Sequence, residues 1–308
     1  MRIVFMGTPD IAVGTLKALL NSKHEIVGVF TQPDKPVGRK QILTPPPVKV
    51  CANENGIPVY QPTTLKTNEA YEILKELNPD IIVVVAYGKI LPKNILDLPR
   101  FGCINGHASI LPKYRGSAPI QWSIVYGERE TGITVQLMDE GIDTGDIIDI
   151  KKVPILPNET ADELYEKLTE TAAELICETL GKIENGTATF TKQNENEATY
   201  APMIKKEMAH IDFSKTASDI HNLVRGFYSW PTAYFMFGDR RLKVYKTEIG
   251  GSTNAAPATV IKSDGELVIA CGDNTSVKLL DIQLEGSKRM DVKQWLMGKK
   301  IETGIKIQ

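Results

Sequence analysis

Residues that hold metals and disulfides are scarce in this sequence of 308 residues. It contains only four cysteines and four histidines. The cysteines lack the CxxC spacing that is typical of zinc and redox sites. They are Cys51, Cys103, Cys177 and Cys271. We therefore expect free thiols, no metal ion and a reducing, cytoplasmic location.

Long hydrophobic runs are also missing. The longest apolar run is IIVVVA at residues 81 to 86, whereas a helix that crosses a bilayer needs about 20 apolar residues. The first ten residues, MRIVFMGTPD, lack the extended apolar core of a signal peptide. We expect neither membrane insertion nor export.

The sequence lacks the motifs of the common nucleotide-dependent enzymes and hydrolases. The GTPD turn at residues 7 to 10 has a single glycine where the dinucleotide fingerprint requires GxGxxG, and GxxxxGK[ST] does not occur. HExxH and GxSxG do not occur either. These absences argue against NAD, ATP, metalloprotease and serine-hydrolase chemistry.

Charge is distributed unevenly along a chain whose net charge is −2. Residues 1–203 hold 20 Lys and Arg against 26 Asp and Glu, whereas residues 204–308 hold 16 against 12. A basic last third suggests an anionic partner such as a nucleic acid, although so small a surplus is also typical of an ordinary solvated surface.

Strand and helix patterns alternate through the first two thirds of the chain. RIVFMG (2–7) and IVGVFT (26–31) flank a helical pattern and predict a βαβ unit. Further apolar strands are predicted at 80–88, up to Asn105, at 133–139 and at 147–155. Such nearly continuous apolar runs favour strands covered on both faces. We expect an α/β domain over residues 1–188, with a doubly wound, mainly parallel, Rossmann-like sheet.

The last third predicts a different architecture. A helix at about 160–182 begins with a Thr160–Glu163 capping box, and residues 189–206 then lose periodicity and are predicted as a linker. A short helix and five short strands separated by turns follow it. We expect a small OB-like β-barrel over residues 207–308, with Phe227 and Trp230 in its core.

The stretch CINGHASILPKYRG contains two polar residues at a predicted strand end. Asn105 and His107 are two apart and lie on the same side of an extended chain. Asp143 lies in a glycine-rich acidic loop, from which a carboxylate can approach a histidine. An amide and an imidazolium backed by a carboxylate suit acyl transfer through an oxyanion. Spacing alone favours the alternative, in which all three are ordinary turn residues.

A resemblance changes this balance. INGHASILP followed by IDTGD resembles the N-x-H…SLLP…D signature of the formyltransferases that use 10-formyltetrahydrofolate. The resemblance implies that Asn105, His107 and Asp143 form the catalytic trio, that 10-formyltetrahydrofolate is the co-substrate, and that no metal takes part. It also implies a set of folate-binding residues: Ser109, Ile110, Leu111, Pro112, Ala86, Tyr87, Gly88 and Ile90.

Two residues depart from that signature. Gly106 stands where the family commonly has Val, and Ile110 replaces a Leu. Exchange of Ile and Leu conserves volume. Gly106 adds backbone freedom between Asn105 and His107, so we expect it to loosen their geometry.

The loop at residues 31–50, TQPDKPVGRKQILTPPPVKV, is basic and rich in proline. For an arbitrary protein such a loop is most simply a stiff, solvated surface segment. Its sequence resembles the tRNA-contacting loop of the methionyl-tRNA formyltransferase branch of the family. GTPD and VVVAYGKILP (83–92) also resemble segments of that branch. The resemblance implies tRNA contacts by Lys35, Arg39 and Lys40, initiator methionyl-tRNA as the formyl acceptor, and a monomer.

Three alternatives remain open at this point. A sugar-nucleotide formyltransferase or a formyltetrahydrofolate hydrolase would use the same trio, and a non-catalytic RNA-binding module would explain the basic last third. Release of formate without an acceptor distinguishes the hydrolase. Indifference to folate distinguishes the RNA-binding module.

Overall fold

A computed structural model describes residues 1–38, 40–299 and 301–307. The chain forms two compact units. The N-terminal unit comprises Met1–Pro119, Glu130–Pro154 and Tyr165–Ala201. The C-terminal unit comprises Ile120–Arg129, Ile155–Leu164 and the chain from Pro202 onward.

Strands and helices are numbered along the chain. The strands are β1 (Arg2–Gly7), β2 (Glu25–Phe30), β3 (Lys35–Val37), β4 (Ile42–Thr44), β5 (Val59–Tyr60), β6 (Ile81–Val85), β7 (Cys103–His107), β8 (Arg115–Gly116), β9 (Glu130–Leu137), β10 (Asp146–Pro154), β11 (Tyr200–Ala201), β12 (Tyr234–Phe237), β13 (Arg240–Ile249), β14 (Val260–Lys262), β15 (Leu267–Ala270), β16 (Ser276–Leu284) and β17 (Met290–Asp291). The helices are α1 (Asp10–Leu20), α2 (Pro47–Glu54), α3 (Asn68–Leu77), α4 (Lys93–Leu96), α5 (Pro119–Val125), α6 (Ala161–Glu184), α7 (Ala217–Gly226) and α8 (Val292–Met297).

The N-terminal unit is built on a seven-stranded sheet in the order β10-β9-β7-β6-β1-β2-β5. The pairs from β7 through β5 are parallel, whereas β9 is antiparallel to both β7 and β10. All five residues of β6, IIVVV, are buried, as are five of the six in β1. Strands buried in this way match the predicted strands covered on both faces. The expected mainly parallel, doubly wound sheet is confirmed.

Helix α6 has the start that its sequence predicts. The backbone N–H of Thr160 donates to Glu163 Oε2 at 2.8 Å, and the backbone N–H of Glu163 donates to Thr160 Oγ1 at 3.3 Å. This reciprocal pair is the capping box, which satisfies two N–H groups that a helix start leaves without partners.

The chain that follows α6 pairs with the N-terminal unit before it leaves that unit. Thr191 forms an isolated antiparallel bridge with Ile147, and β11 pairs in parallel with β8. Much of the stretch predicted as a linker, residues 189–206, is therefore hydrogen-bonded to other parts of the N-terminal unit as far as Ala201.

The C-terminal unit is an antiparallel sheet in the order β12-β13-β16-β15-β14, with β17 also paired to β16. The five strands predicted from the sequence are all present. The curled sheet surrounds a core of buried side chains, which agrees with the expected small barrel. Its fully buried members include Phe235, Leu242, Val244, Val260, Leu267, Ile269 and Val277.

One of the two predicted core residues is not buried. Phe227 is fully buried, but Trp230 is 53% exposed, so its expected place in the core was wrong. Trp230 lies in the turn between α7 and β12. A residue in a turn has no helix or strand face that directs its side chain into the core. Its hydrophobicity alone does not bury it there.

Two further expectations concern membranes and cysteines. No helix within the described ranges is both long enough and apolar enough to cross a membrane. All four cysteines are free thiols, and three of them are buried.

Replacement of Phe5 by Ala should lower the free energy of unfolding by about 3–5 kcal/mol, because it leaves a cavity next to β1, an interior strand of the sheet. The ring is fully buried. Urea unfolding followed by circular dichroism measures the change. Phe190→Ala is the matched control, since this ring is 50% exposed and its loss should change stability by about 0.5 kcal/mol or less. Equal effects of the two substitutions would contradict the assigned core.

Candidate active site

Strand β7 carries the first two candidate catalytic residues into the middle of the sheet. Asn105 lies between Val84 of β6 and Gln136 of β9, and His107 lies opposite Thr134 of β9. Because β6 and β7 are parallel, their carboxyl ends meet at one edge, where ligands of such sheets bind.

The side-chain amide of Asn105 is only partly satisfied. Its Nδ2 donates to the carbonyl oxygen of Val84 at 3.3 Å. Its Oδ1 is buried and has no hydrogen-bond partner among the described residues. A buried polar atom without a partner is costly and marks a place where a ligand atom fits.

Both ring nitrogens of His107 face hydrogen-bond acceptors. Nδ1 lies 3.5 Å from Asp143 Oδ1, and Nε2 lies 2.9 Å from the carbonyl oxygen of Tyr114. The side chain is only 7% exposed. A neutral imidazole has one N–H and can donate to one of these acceptors, whereas an imidazolium has two and can donate to both.

Asp143 lies in the loop between β9 and β10 and has a left-handed backbone, with φ at +56°. Its Oδ2 accepts from the backbone N–H of Gly116 at 2.9 Å, and its Oδ1 accepts from Gln136 Nε2 at 3.0 Å. Neutral donors of this kind stabilise a carboxylate without removing its charge. The structure therefore brings the three candidate catalytic residues together.

The candidate folate-binding run after β7 is held by internal hydrogen bonds. Ser109 is fully buried, and its Oγ donates to the carbonyl of Lys113 at 2.6 Å. Thr134 Oγ1 donates to the carbonyl of Ser109 at 2.7 Å and accepts from the N–H of Leu111 at 3.0 Å. Ile110 is half-buried, and the peptide bond between Leu111 and Pro112 is cis. The three hydrogen bonds fix the shape of the loop.

The second candidate folate-binding run follows β6. Ala86 and Gly88 have left-handed backbones, with φ at +46° and +78°, and Ile90 is 67% exposed. Tyr87 is buried, its Oη has no partner within the described ranges, and burial raises the pKa of its hydroxyl. Its carbonyl accepts from Gln32 Nε2 at 3.0 Å.

A surface cavity of about 390 Å³ lies on the N-terminal unit, and the sequence did not predict it. Its lining residues are Lys93, Leu96, Asp97, Pro99, Arg100, Gly102, Leu137, Met138, Asp139 and Glu140. Leu96 and Met138 belong to the same hydrophobic cluster as Tyr87 and Leu91. Gly102 directly precedes β7, so the cavity lies near the start of that strand and His107 lies at its end. Sequence reasoning missed it because the lining combines two segments that are far apart along the chain.

The basic loop forms a hairpin of β3 and β4. Lys35 and Lys40 are exposed, and Arg39 lies outside the described residues. The hairpin also exposes three apolar side chains that the sequence analysis did not single out: Val37, Ile42 and Leu43.

The base of this hairpin is held by Asp34. Its carboxylate pairs with Lys49 Nζ at 2.8 Å and accepts from Gln61 Nε2 at 2.8 Å. The hydrogen bond from Lys49 is the main reason that the pKa of Asp34 is lowered. Nearby, Lys89 Nζ donates to the carbonyl of Pro62, and burial together with the charge of Lys35 lowers the pKa of Lys89.

The arrangement has groups that suit acyl transfer. Within the described ranges no three His, Cys, Asp or Glu side chains are grouped so that they could hold a metal ion. Asn105, whose Oδ1 has no partner in the part of the chain that the structure describes, lies two residues from an imidazole that contacts a carboxylate. These are groups that stabilise developing charge on a carbonyl oxygen.

Family comparisons cover most of the chain. Residues 1–180 match the formyl transferase family, and residues 203–300 match the formyl transferase C-terminal domain. A methionyl-tRNA formyltransferase of Caldanaerobacter subterraneus is 48% identical over 99% of each chain. One from Clostridioides difficile is also 48% identical, again over 99% of each chain.

Solved structures share the fold at lower identity. An N-formyltransferase from Helicobacter canadensis, solved with folinic acid and dTDP-3-aminofucose, superposes with a TM-score of 0.69 at 24% identity, over 90% of this chain and 98% of that one. A sugar 3N-formyl transferase, solved with dTDP and 5-N-formyl-THF, gives a TM-score of 0.70 at 23% identity, over 94% and 99% of the two chains. From the domain matches and the full-length relatives together, the chain belongs to the methionyl-tRNA formyltransferase family.

Proposed function

We propose that this protein transfers the formyl group of 10-formyltetrahydrofolate to the α-amino group of methionyl-tRNA, with the initiator tRNA as acceptor. The observation that carries the proposal is that His107 contacts Asp143 and lies two residues from Asn105, whose buried Oδ1 lacks a partner among the described residues. Full-length relatives named methionyl-tRNA formyltransferase support methionyl-tRNA as the acceptor.

The residues present fit a folate co-substrate. The buried Oδ1 of Asn105 and the buried Oη of Tyr87 both lack partners among the described residues. Tyr87 lies in the run at 86–90, and the hydrogen-bonded run at 109–112 follows the strand that carries Asn105. In the proposal the folate lies between these two runs and supplies the partners that the two atoms lack.

Asn105 has two tasks in the proposed reaction. Its second Nδ2–H donates to the formyl oxygen as that oxygen gains negative charge. Its Oδ1 accepts a hydrogen bond from the attacking amine and so aligns the nitrogen with the formyl carbon. One amide thus orients both reacting groups.

His107 and Asp143 supply charge next to Asn105. A positive imidazolium stabilises the developing oxyanion, and the carboxylate of Asp143 holds the ring. Because Nε2 bonds the carbonyl of Tyr114 in the structure, a direct hydrogen bond from His107 to the formyl oxygen requires exchange of that partner. Without the exchange, His107 acts through its charge.

The proposed step balances in protons and bonds. The amine nitrogen of methionyl-tRNA forms a bond to the formyl carbon, and the bond from that carbon to folate N10 breaks. Model α-amino groups have a pKa near ~8, so a useful fraction of the amine is neutral at physiological pH. The proton that the amine loses passes through water near Asp143 to N10.

Recognition of the tRNA is assigned to the basic hairpin. Lys35 and Lys40 are exposed on it, and Arg39 between them is part of the same proposal. Lysine and arginine contacts to phosphates position a nucleic acid without reading its sequence. The chain works as a monomer in the cytoplasm in this proposal.

The alternatives differ in their acceptor. The sugar formyltransferase structures share the fold at only 23–24% identity. So low an identity does not indicate that this chain shares their substrate. A hydrolase would pass the formyl group to water. Incubation with 10-formyltetrahydrofolate and charged initiator tRNA should give N-formylmethionyl-tRNA, with far less product from a charged elongator tRNA. Release of formate without tRNA, as fast as formyl transfer with tRNA, would overturn the proposal. Formylation of an amino sugar nucleotide instead of the tRNA would also overturn it.

Replacement of Asn105 by Ala should lower kcat by roughly 100-fold or more, because it removes an oxyanion donor. Single-turnover formylation of methionyl-tRNA measures the effect, and circular dichroism verifies folding. Asn21→Ala is the matched control, since Asn21 is an exposed residue after α1. A folded Asn105→Ala enzyme with near-normal turnover would remove Asn105 from the mechanism.

Replacement of Lys35 and Lys40 together by Ala should lower kcat/KM for tRNA and leave KM for the folate unchanged. For every phosphate that the protein no longer neutralises, the slope of log affinity against log salt should become shallower by about 0.7–0.9. Rates measured at several salt concentrations test this. Lys66→Ala, at another exposed lysine of the N-terminal unit, should keep the wild-type slope. An unchanged slope in the double variant would exclude the hairpin from tRNA binding.

A further inference from the structure

Gln193 contacts the backbone of the loop that carries Asp143. Its Nε2 donates to the carbonyl of Asp143 at 2.9 Å and to the carbonyl of Gly145 at 2.8 Å. The same nitrogen lies 3.4 Å from Gln136 Oε1. Gln136 in turn donates to the carboxylate of Asp143. Two glutamines therefore hold Asp143, one by its backbone and one by its side chain.

Arg115 fixes which way the amide of Gln193 faces. Its Nε and Nη2 lie 3.1 Å and 2.9 Å from Gln193 Oε1. A guanidinium can only donate hydrogen bonds, so Gln193 must present its oxygen to Arg115 and its NH₂ group to the loop. Both N–H groups then meet a carbonyl of the loop.

The charge of Arg115 is itself balanced. The side chain is fully buried, and it makes a two-pronged ion pair with Glu195, with distances of 2.8 Å and 2.7 Å. Hydrogen bonding to Glu195 raises the pKa of Arg115, and Arg115 lowers the pKa of Glu195. A buried, paired guanidinium is a rigid anchor for the amide that it contacts.

Asp143 needs such an anchor because of its backbone. Its φ of +56° lies in the left-handed region, which residues with a side chain occupy at a cost unless their surroundings hold them. Gly145 gives the loop its close return, because a Cβ there would collide with the carbonyl oxygen of Leu137. The two carbonyls that Gln193 binds thus belong to the most constrained part of the loop.

We propose that Gln193, oriented by Arg115, is a positioning residue for the formyl transfer, because it holds the Asp143 loop so that the carboxylate faces His107. The inference rests on the proposed function. It assigns a role to a residue that lies 50 positions away from Asp143 along the chain, inside the stretch that the sequence predicts as a linker. Gln193 makes no contact with the reacting atoms in this role.

Gln193→Glu is the sharpest test, because it keeps the shape and the acceptor for Arg115 while it replaces the two N–H donors by an oxygen. The new oxygen repels the carbonyls of Asp143 and Gly145, so kcat should fall about 10-fold or more, as expected when a reacting group is displaced. Gln193→Ala should show a similar fall. KM for both substrates should stay within about twofold, because no binding contact is removed.

Asn194→Ala is the matched control. Asn194 is the next residue and carries the same amide group. Among the described residues its side chain bonds within its own short helical turn, to Glu197 and to the N–H of Asn196. Its kcat should equal that of the wild type. If Gln193→Glu also keeps wild-type kcat while Gln193→Ala loses activity and thermal stability, Gln193 serves packing alone and the proposal fails.

The Asp143→Ala background separates this proposal from the proposed function. If Gln193 acts through Asp143, Gln193→Ala should cause no further fall in kcat in that background. If the falls in kcat caused by the two substitutions multiply in the double variant, the positioning role is overturned. If Asp143→Ala alone leaves kcat unchanged, the catalytic trio fails, whatever Gln193 does.

Discussion

The register between β7 and β9 is the constraint on which the candidate site depends. It sets Asn105 opposite Gln136 and His107 opposite Thr134, so the residues that hold the loops lie directly beside the candidate catalytic residues. A shift by one residue would turn every side chain of β7 to the other face of the sheet. Strand β9 runs antiparallel to β7, whereas β7 is parallel to β6. This direction of β9 lets the loop that follows it meet the strand that carries His107.

The charged groups of the site have protein partners. Asp143 receives two neutral hydrogen bonds beside His107, and the buried Arg115 is paired with Glu195 and capped by Gln193. Buried charged groups are tolerated only with such partners. The network links the candidate catalytic loop to the segment after α6. That segment is thus part of the site's support as well as the route to the C-terminal unit.

Gly106 illustrates how strand pairing limits the effect of a single residue. From the sequence we expected it to loosen the backbone between Asn105 and His107. In the structure Gly106 lies inside β7, opposite Val135 of β9. A Cβ at this position would lie 2.8 Å from Ile176 Cδ1, so a side chain of α6 fills the space that a larger residue would take. Pairing with β9 restrains the freedom that glycine has in an unpaired chain.

The sequence by itself determined six strands of the N-terminal sheet, five of the C-terminal sheet, the long helix with its cap and the candidate catalytic types, because hydrophobic periodicity and short motifs are local signals. It did not predict the short strands β3, β4, β5, β8, β11 and β17. Tertiary structure alone decided which distant residues meet. The contact of Asp143 with His107, the cavity between residues 93–102 and 137–140, and the chain from Arg115 through Gln193 all join segments that are separate in sequence. Trp230 stayed exposed for the same reason. Burial and contact depend on how elements pack, and no local pattern encodes that packing.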